Sequence, residues 1–161
     1  MLELFHWMQN TSWAIGLRQA DFLFPVIEGS HILALSFSVG LILILDLRLL
    51  RLAFNSEPVS RVMRQMMPWA LPGFAVMFAT GLILFFAQAE SAYTNDYFRI
   101  KILLLILMGV NAAIYQYNFY PNMAKWDSSD AVPVGAQVVA ALSLLGWAGV
   151  IACGRLMAYE L

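Results

Sequence analysis

Residues 22–51 read FLFPVIEGSHILALSFSVGLILILDLRLLR. At 1.5 Å per residue a helix of this length crosses the roughly 30 Å hydrocarbon core of a bilayer and protrudes from it. Near its start the run carries an acid and an imidazole, Glu28 and His31, and near its far end the charged knot Asp46-Leu47-Arg48. An ionisable group inside a spanning helix costs at least ~2.5 kcal/mol on insertion scales, so each marks a candidate functional position.

The whole chain has the composition of a membrane protein. Of its 161 residues 61% are hydrophobic and 12% charged, with a mean hydropathy of +0.74. Soluble domains are about 45–50% apolar and about 25% charged. A net charge of -1 offers no basic field for nucleic acid. The single cysteine, Cys153, excludes a disulfide framework and a cysteine-based zinc site. The opening MLELFHWMQN has no basic n-region, long apolar core or small-residue cleavage site, and is expected to remain on the mature protein.

Hydropathy and punctuation predict an all-α, integral membrane four-helix bundle forming a single domain, with spans at about 22–54, 68–88, 99–119 and 134–159. Residues 2–20 are too polar to span and predict an interfacial amphipathic segment, in which Asn10-Thr11-Ser12 breaks and re-caps the helix. Pro68 and Pro72 are expected in the first turns of the second span, preceded by a short separate amphipathic piece. Residues 89–98, AESAYTNDYF, read as an interfacial loop. The lipid bilayer is therefore the expected environment, with a homo-oligomer or partner membrane subunits as further possible associates.

Arg48, Arg51, Arg61, Arg64 and Lys125 flank one side of these spans, and Arg18, Arg99, Lys101 and Arg155 the other. Because the first connection is short and dense in arginine, the positive-inside rule places it in the cytoplasm and both termini in the periplasm. Glu28, His31, Arg99, Lys101 and Arg155 then share one depth band, and Asn111 lies on the same polar stripe as Lys101. Glu28, His31, Lys101, Asn111 and Arg155 are the candidate ligand-binding residues of an outward-facing polar pocket for a small ligand, a metal or a quinone-like headgroup. The competing reading is architectural: Glu28 pairs with Lys101 or Arg155, and Asn111 bonds across helices. At the other end Asp46, Arg48, Arg61 and Arg64 form a candidate charge clamp, with Asp46 expected to meet Arg61 or Arg64.

Cofactors are weighed on ligand type. Copper(I) prefers soft donors, and the chain has nine methionines and two histidines. Met63, Met66 and Met67 lie at the end opposite His31 and read as packing. His31 is the candidate metal ligand. A bis-histidine heme is short of a second histidine within the spans, while a His/Met heme using Met108 or Met157 remains open. No motif for nucleophilic, phosphate-binding or zinc chemistry is present, so enzymatic activity is not expected. The alternatives to ligand binding or passage are a redox-complex subunit holding heme or quinone, and a structural anchor for partner proteins.

Six stretches carry a resemblance: FPVIEGSHILAL (24–35), VGLILILDLRLL (39–50), MPWALPGF (67–74), ATGLILFFAQAESAYTNDYFRIK (79–101), GVNAAIYQ (109–116) and AALSLLGWAGVIACGRLMAY (140–159). Across nearly its full length the chain resembles an uncharacterised family of small four-helix bacterial inner-membrane proteins. More loosely, a histidine in an early helix and an asparagine in a later one resemble the membrane domain of the copper-resistance D proteins. The first likeness implies a four-helix inner-membrane protein without an assigned activity, and the second implies ligand or metal passage.

Overall fold

The computed structural model describes residues 2–127 and 132–160. Two short helices, α1 (Leu2–Gln9) and α2 (Ser12–Gln19), precede α3 (Leu23–Leu49) and α4 (Val59–Ala87). A six-residue α5 (Ala89–Thr94) leads into α6 (Asp96–Ile114), which continues as a π-helical turn, Tyr115–Phe119, and a 3-10 turn, Tyr120–Asn122. The short α7 (Met123–Trp126) precedes α8 (Val134–Glu160). No strand occurs among the described residues. Four stretches are long and apolar enough to cross a membrane: Leu23–Leu49, Val59–Ala87, Asp96–Trp126 and Val134–Tyr159. The protein is an all-α, multi-pass membrane protein.

The first span ends in a Schellman motif. The Arg51 amide donates to the Arg48 carbonyl and the Leu52 amide to the Leu47 carbonyl. Such a turn requires a left-handed residue just past the cap, and Arg51 takes φ 60°. No glycine marks the stop, which is why the sequence pattern ran the helix on to Phe54. Phe54, at φ 56°, makes a second left-handed bend before Pro58 starts the next helix.

That next helix differs from expectation at its beginning. The amphipathic piece after Pro58 is continuous with the span, so Pro68 and Pro72 lie inside α4 rather than in its first turns. Val59, Val62 and Met63 on that piece are buried, and their packing holds the segment in line. Proline inside a spanning helix leaves carbonyls without their usual amide, a defect such helices tolerate through local adjustment.

Packing is organised as two antiparallel pairs, α3 with α4 and α6 with α8, joined through α3 and α8. Small residues set both seams. On the first, Gly73 lies against the Ser38 hydroxyl and Gly81 against the His31 ring. On the second, every glycine of α8 receives a large side chain: Gly135 takes Phe119, Gly146 Met108, Gly149 Leu104 and Gly154 Lys101. Stacked rings tie the pairs together, Phe74 on Trp147 at 5.4 Å and Phe85 on Phe98 at 5.3 Å.

Each end has its own construction. At the end away from the amino terminus, Leu45, Leu49, Val59, Met63, Met123 and Trp126 belong to one buried apolar cluster, with Met66 and Met67 packed on it. At the amino-terminal end, α1 and α2 dock on the last turns of α4 and on α5. Phe5 stacks on Tyr93 at 4.4 Å and Trp13 meets Phe86 at 5.7 Å. Gln9 accepts from the Glu90 amide at 2.9 Å, and Arg18 donates to the Ala87 carbonyl. Thr11 stands at the N-cap of α2, but its hydroxyl turns back to the Met8 carbonyl at 2.8 Å instead of capping. Residues read as a loop after Gln88 are largely helical, and Asn95 caps α6 by accepting from the Phe98 amide at 3.1 Å.

Candidate functional site

All four spans contribute side chains or backbone at the depth of His31. The seam with α4 fixes the ring: His31 Nδ1 lies 2.9 Å from the Met77 carbonyl and 3.1 Å from the Thr80 hydroxyl. A carbonyl oxygen only accepts, so Nδ1 is the nitrogen that carries a proton, and in a neutral ring Nε2 keeps its lone pair. Thr80 reinforces the arrangement by donating to the Val76 carbonyl at 2.7 Å. From α6, Lys101 comes close enough to His31 for their charges to interact, and Glu28, one turn before His31, does so as well. The Lys101 stem rests on α8, its Nζ 3.4 Å from where a side chain on Gly154 would begin, beside the buried Cys153.

Lys101 is the unusual member of this group. It is half-buried between helices, and among the described residues its ammonium has neither a hydrogen-bond acceptor nor an ion-pair partner. Glu28 is exposed and does not reach it as a salt bridge. Basic side chains near helix ends usually snorkel to water or pair, as Arg99 does at the same end. Arg99 lies 3.6 Å from Asp96, donates to the Tyr93 carbonyl at 3.0 Å and sits over the Tyr93 ring.

The other two residues of the candidate pocket lie elsewhere. Asn111 is buried and donates to the Val139 carbonyl of α8 at 3.0 Å. Ten residues from Lys101, it sits roughly 15 Å further along the helix. Arg155 is exposed and lies over its own helix neighbour Tyr159, 5.1 Å from the ring. The structure thus brings together Glu28, His31 and Lys101 but neither Asn111 nor Arg155. Among the described residues no three His, Cys, Asp or Glu side chains gather to hold a metal ion, so His31 has no companion ligands of that kind. His6 belongs to the terminal helices, bonded to Asn10 and 3.9 Å from Glu90.

The charge clamp is also arranged differently. Asp46 does not meet Arg61 or Arg64; it lies beside Ser143 of α8 instead. Arg61 pairs instead with Glu57 at 2.8 Å, one turn away in its own segment, and Arg64 is exposed. Arg48 is buried and donates through Nε to the Glu57 carbonyl at 2.6 Å. The physical reason is register. Asp46 and Arg48, two positions apart, point to different sides of α3, so the arginine turns to the α3–α4 connection and the acid to α8.

What replaces the clamp is a buried polar group. Asp46, Ser143 and Tyr115 are 5%, 7% and 8% exposed. Among the described residues Asp46 Oδ2 and the Tyr115 hydroxyl have no hydrogen-bond partner. Tyr115 opens the π-helical turn, a distortion that often accompanies functional positions. Ser143 went unnoticed in the sequence because serine is common in spanning helices. Depth was the available signal, since Asp46, Tyr115 and Ser143 all fall toward the same end of their spans.

No curated protein and no solved structure matches this chain at a significant level. A family model matches residues 5–160, almost the full length, and takes in both polar groups and all four spans. The chain belongs to the family of unknown function DUF6644.

Proposed function

We propose that this membrane protein is a non-enzymatic binding or passage protein that takes a small ligand bearing an anionic group at Lys101, with His31 and Glu28 beside it. The observation that carries this reading is Lys101, a half-buried residue at the depth where four spans meet, whose ammonium has no acceptor among the described residues. A charge so placed is stabilised by an opposite charge delivered from outside the chain. His31 adds an oriented ring whose Nε2 is uncommitted, and its Nδ1 bond to Met77 keeps that ring from turning away. Asn111 and Arg155, each engaged elsewhere, have no part in the site.

The test is calorimetric titration of purified protein in non-ionic detergent with octanoate and, separately, with inorganic phosphate. Octanoate binds the native chain, and Lys101→Met weakens it by about tenfold or more, since a hydrogen bond to a charged group contributes about 1.5–3 kcal/mol. Phosphate binding at the same residue would identify a free anion rather than an amphiphile. No heat from either probe, or equal affinity in Lys101→Met, overturns the proposal.

The same reading places the protein in a bacterial inner membrane with both termini in the periplasm. Support comes from the end of the bundle holding Arg48, Arg51, Arg61, Arg64 and Lys125, opposite α1 and α2. Alkaline phosphatase fused after Leu161 is expected to be active, and a fluorescent protein that matures only in the cytoplasm to stay dark. The reverse pair of results inverts the topology and turns the Lys101 site toward the cytoplasm.

A further inference from the structure

A second site lies at the opposite end of the bundle, and we infer that it holds a small monovalent cation, sodium, between Asp46 of α3, Ser143 of α8 and Tyr115 at the end of α6. Three observations meet there. The donors are all oxygen (carboxylate, hydroxyl and phenol), the set a hard cation takes and a soft one does not. They come from three separate elements and each is more than nine-tenths buried. Two of their oxygens, Asp46 Oδ2 and the Tyr115 hydroxyl, are unpartnered among the described residues, and one buried cluster joins Tyr115 to Leu45, beside Asp46, and to Val139 and Ala140, within about a turn of Ser143. Buried polar atoms are almost always satisfied, so neighbouring orphans mark a place where something else bonds to both.

Charge selects what that is. A carboxylate in an apolar surrounding needs a neutralising partner, and no ion pair supplies one to Asp46 among the described residues. On α3 itself Arg48 points away and is bonded to the Glu57 carbonyl. On α4, Arg61 pairs with Glu57 and Arg64 is exposed. Beyond α6, Lys125 donates to Asn122 at 2.9 Å, and Asp127, the other acid near Tyr115, accepts from the Ser60 amide at 2.8 Å. No charged residue of α8 lies at this end. One unbalanced carboxylate matches one positive charge; a divalent ion would leave an excess charge buried.

Thermal unfolding of the full chain in detergent, followed by tryptophan fluorescence in equal concentrations of sodium, potassium or choline chloride, tests the site. A ligand that binds only the folded state raises Tm. Sodium is expected to raise it by about 2–4 °C over choline, as a ~1 kcal/mol gain does for a chain of this size. Asp46→Asn abolishes the difference. Tyr115→Phe removes only a hydroxyl and shifts the sodium midpoint about tenfold higher, which keeps the test open if Asp46→Asn does not fold. Identical melting in the three salts, the result expected if a water or the acid's own proton fills the gap, overturns the inference. So does a sodium shift that survives in Asp46→Asn. Octanoate titration reads the other end of the bundle, so either site can fail without the other.

Discussion

Gly73→Leu is expected to yield no monodisperse folded protein. The first antiparallel pair, α3 with α4, is the most extensively packed in the molecule, and its backbones approach where Gly73 meets Ser38. A Cβ added at Gly73 would overlap the Ser38 hydroxyl, lie 3.3 Å from a Phe37 ring carbon and 3.4 Å from the Ser38 Cβ. Alanine there forces the hydroxyl aside. Overpacking of this kind costs about 1–3 kcal/mol, offset in part by the ~1 kcal/mol helix-propensity advantage of alanine over glycine. Leucine adds three more carbons to a seam with no room, and the pair must separate. Size-exclusion profile and Tm in detergent read the outcome.

A companion variant shows whether contact is the cause. Ser38 is fully buried with its hydroxyl unpartnered, so Ser38→Ala removes a polar atom that gains nothing in place. It should leave Tm unchanged or raise it. In the Ser38→Ala background, Gly73→Ala should lose little or nothing relative to Gly73. If the alanine cost is the same in both backgrounds, the Gly73–Ser38 contact is not what limits the approach of the helices.

Much of the architecture was legible because the membrane enforces a simple code. Long apolar runs must be helices that satisfy their own backbone, and runs such as residues 32–45 admit no other reading. Boundaries were less legible where the signal residue had an unusual role. Pro68 reads as a helix start in a soluble protein, yet here it lies within a helix that the burial of Val59, Val62 and Met63 begins earlier. Arg51 occupies a left-handed position that glycine would have announced.

The candidate sites divide by the same logic. Depth along a span is readable from sequence, and it brought His31, Glu28 and Lys101 to one level. Azimuth is harder, because it depends on which neighbour each face meets. Sequence proximity points Asp46 at Arg61 and Arg64, whereas α3 turns it to Ser143 on a helix distant in sequence. Arg155 had the right depth but the wrong face. Asn111 had the right face on α6 but a depth nearer Tyr115 than Lys101.

Asn111 therefore gives the sharpest contrast between a structural and a ligand-binding role. Its amide donates to the Val139 carbonyl across the α6–α8 seam, and both partners are buried. Asn111→Asp replaces the donor with an acceptor facing an acceptor. It adds a charge whose insertion costs at least ~2.5 kcal/mol and loses a hydrogen bond contributing about 1 kcal/mol. The variant is expected to lose most of its folded yield. Asn111→Leu keeps the volume and removes the amide without adding charge, while the Val139 carbonyl retains its place in the α8 ladder. Interhelical bonds in membranes average ~0.6 kcal/mol and reach ~1.7, so this variant should fold with Tm lowered by only a few degrees. Its octanoate titration should match that of the native chain, because the side chain lies two to three turns from Lys101. If Asn111→Leu stays folded but no longer binds octanoate, the asparagine belongs to the ligand and the site extends along α6. If Asn111→Asp proves as stable as Asn111→Leu, water reaches the seam, and the closed contact between α6 and α8 at this depth is wrong.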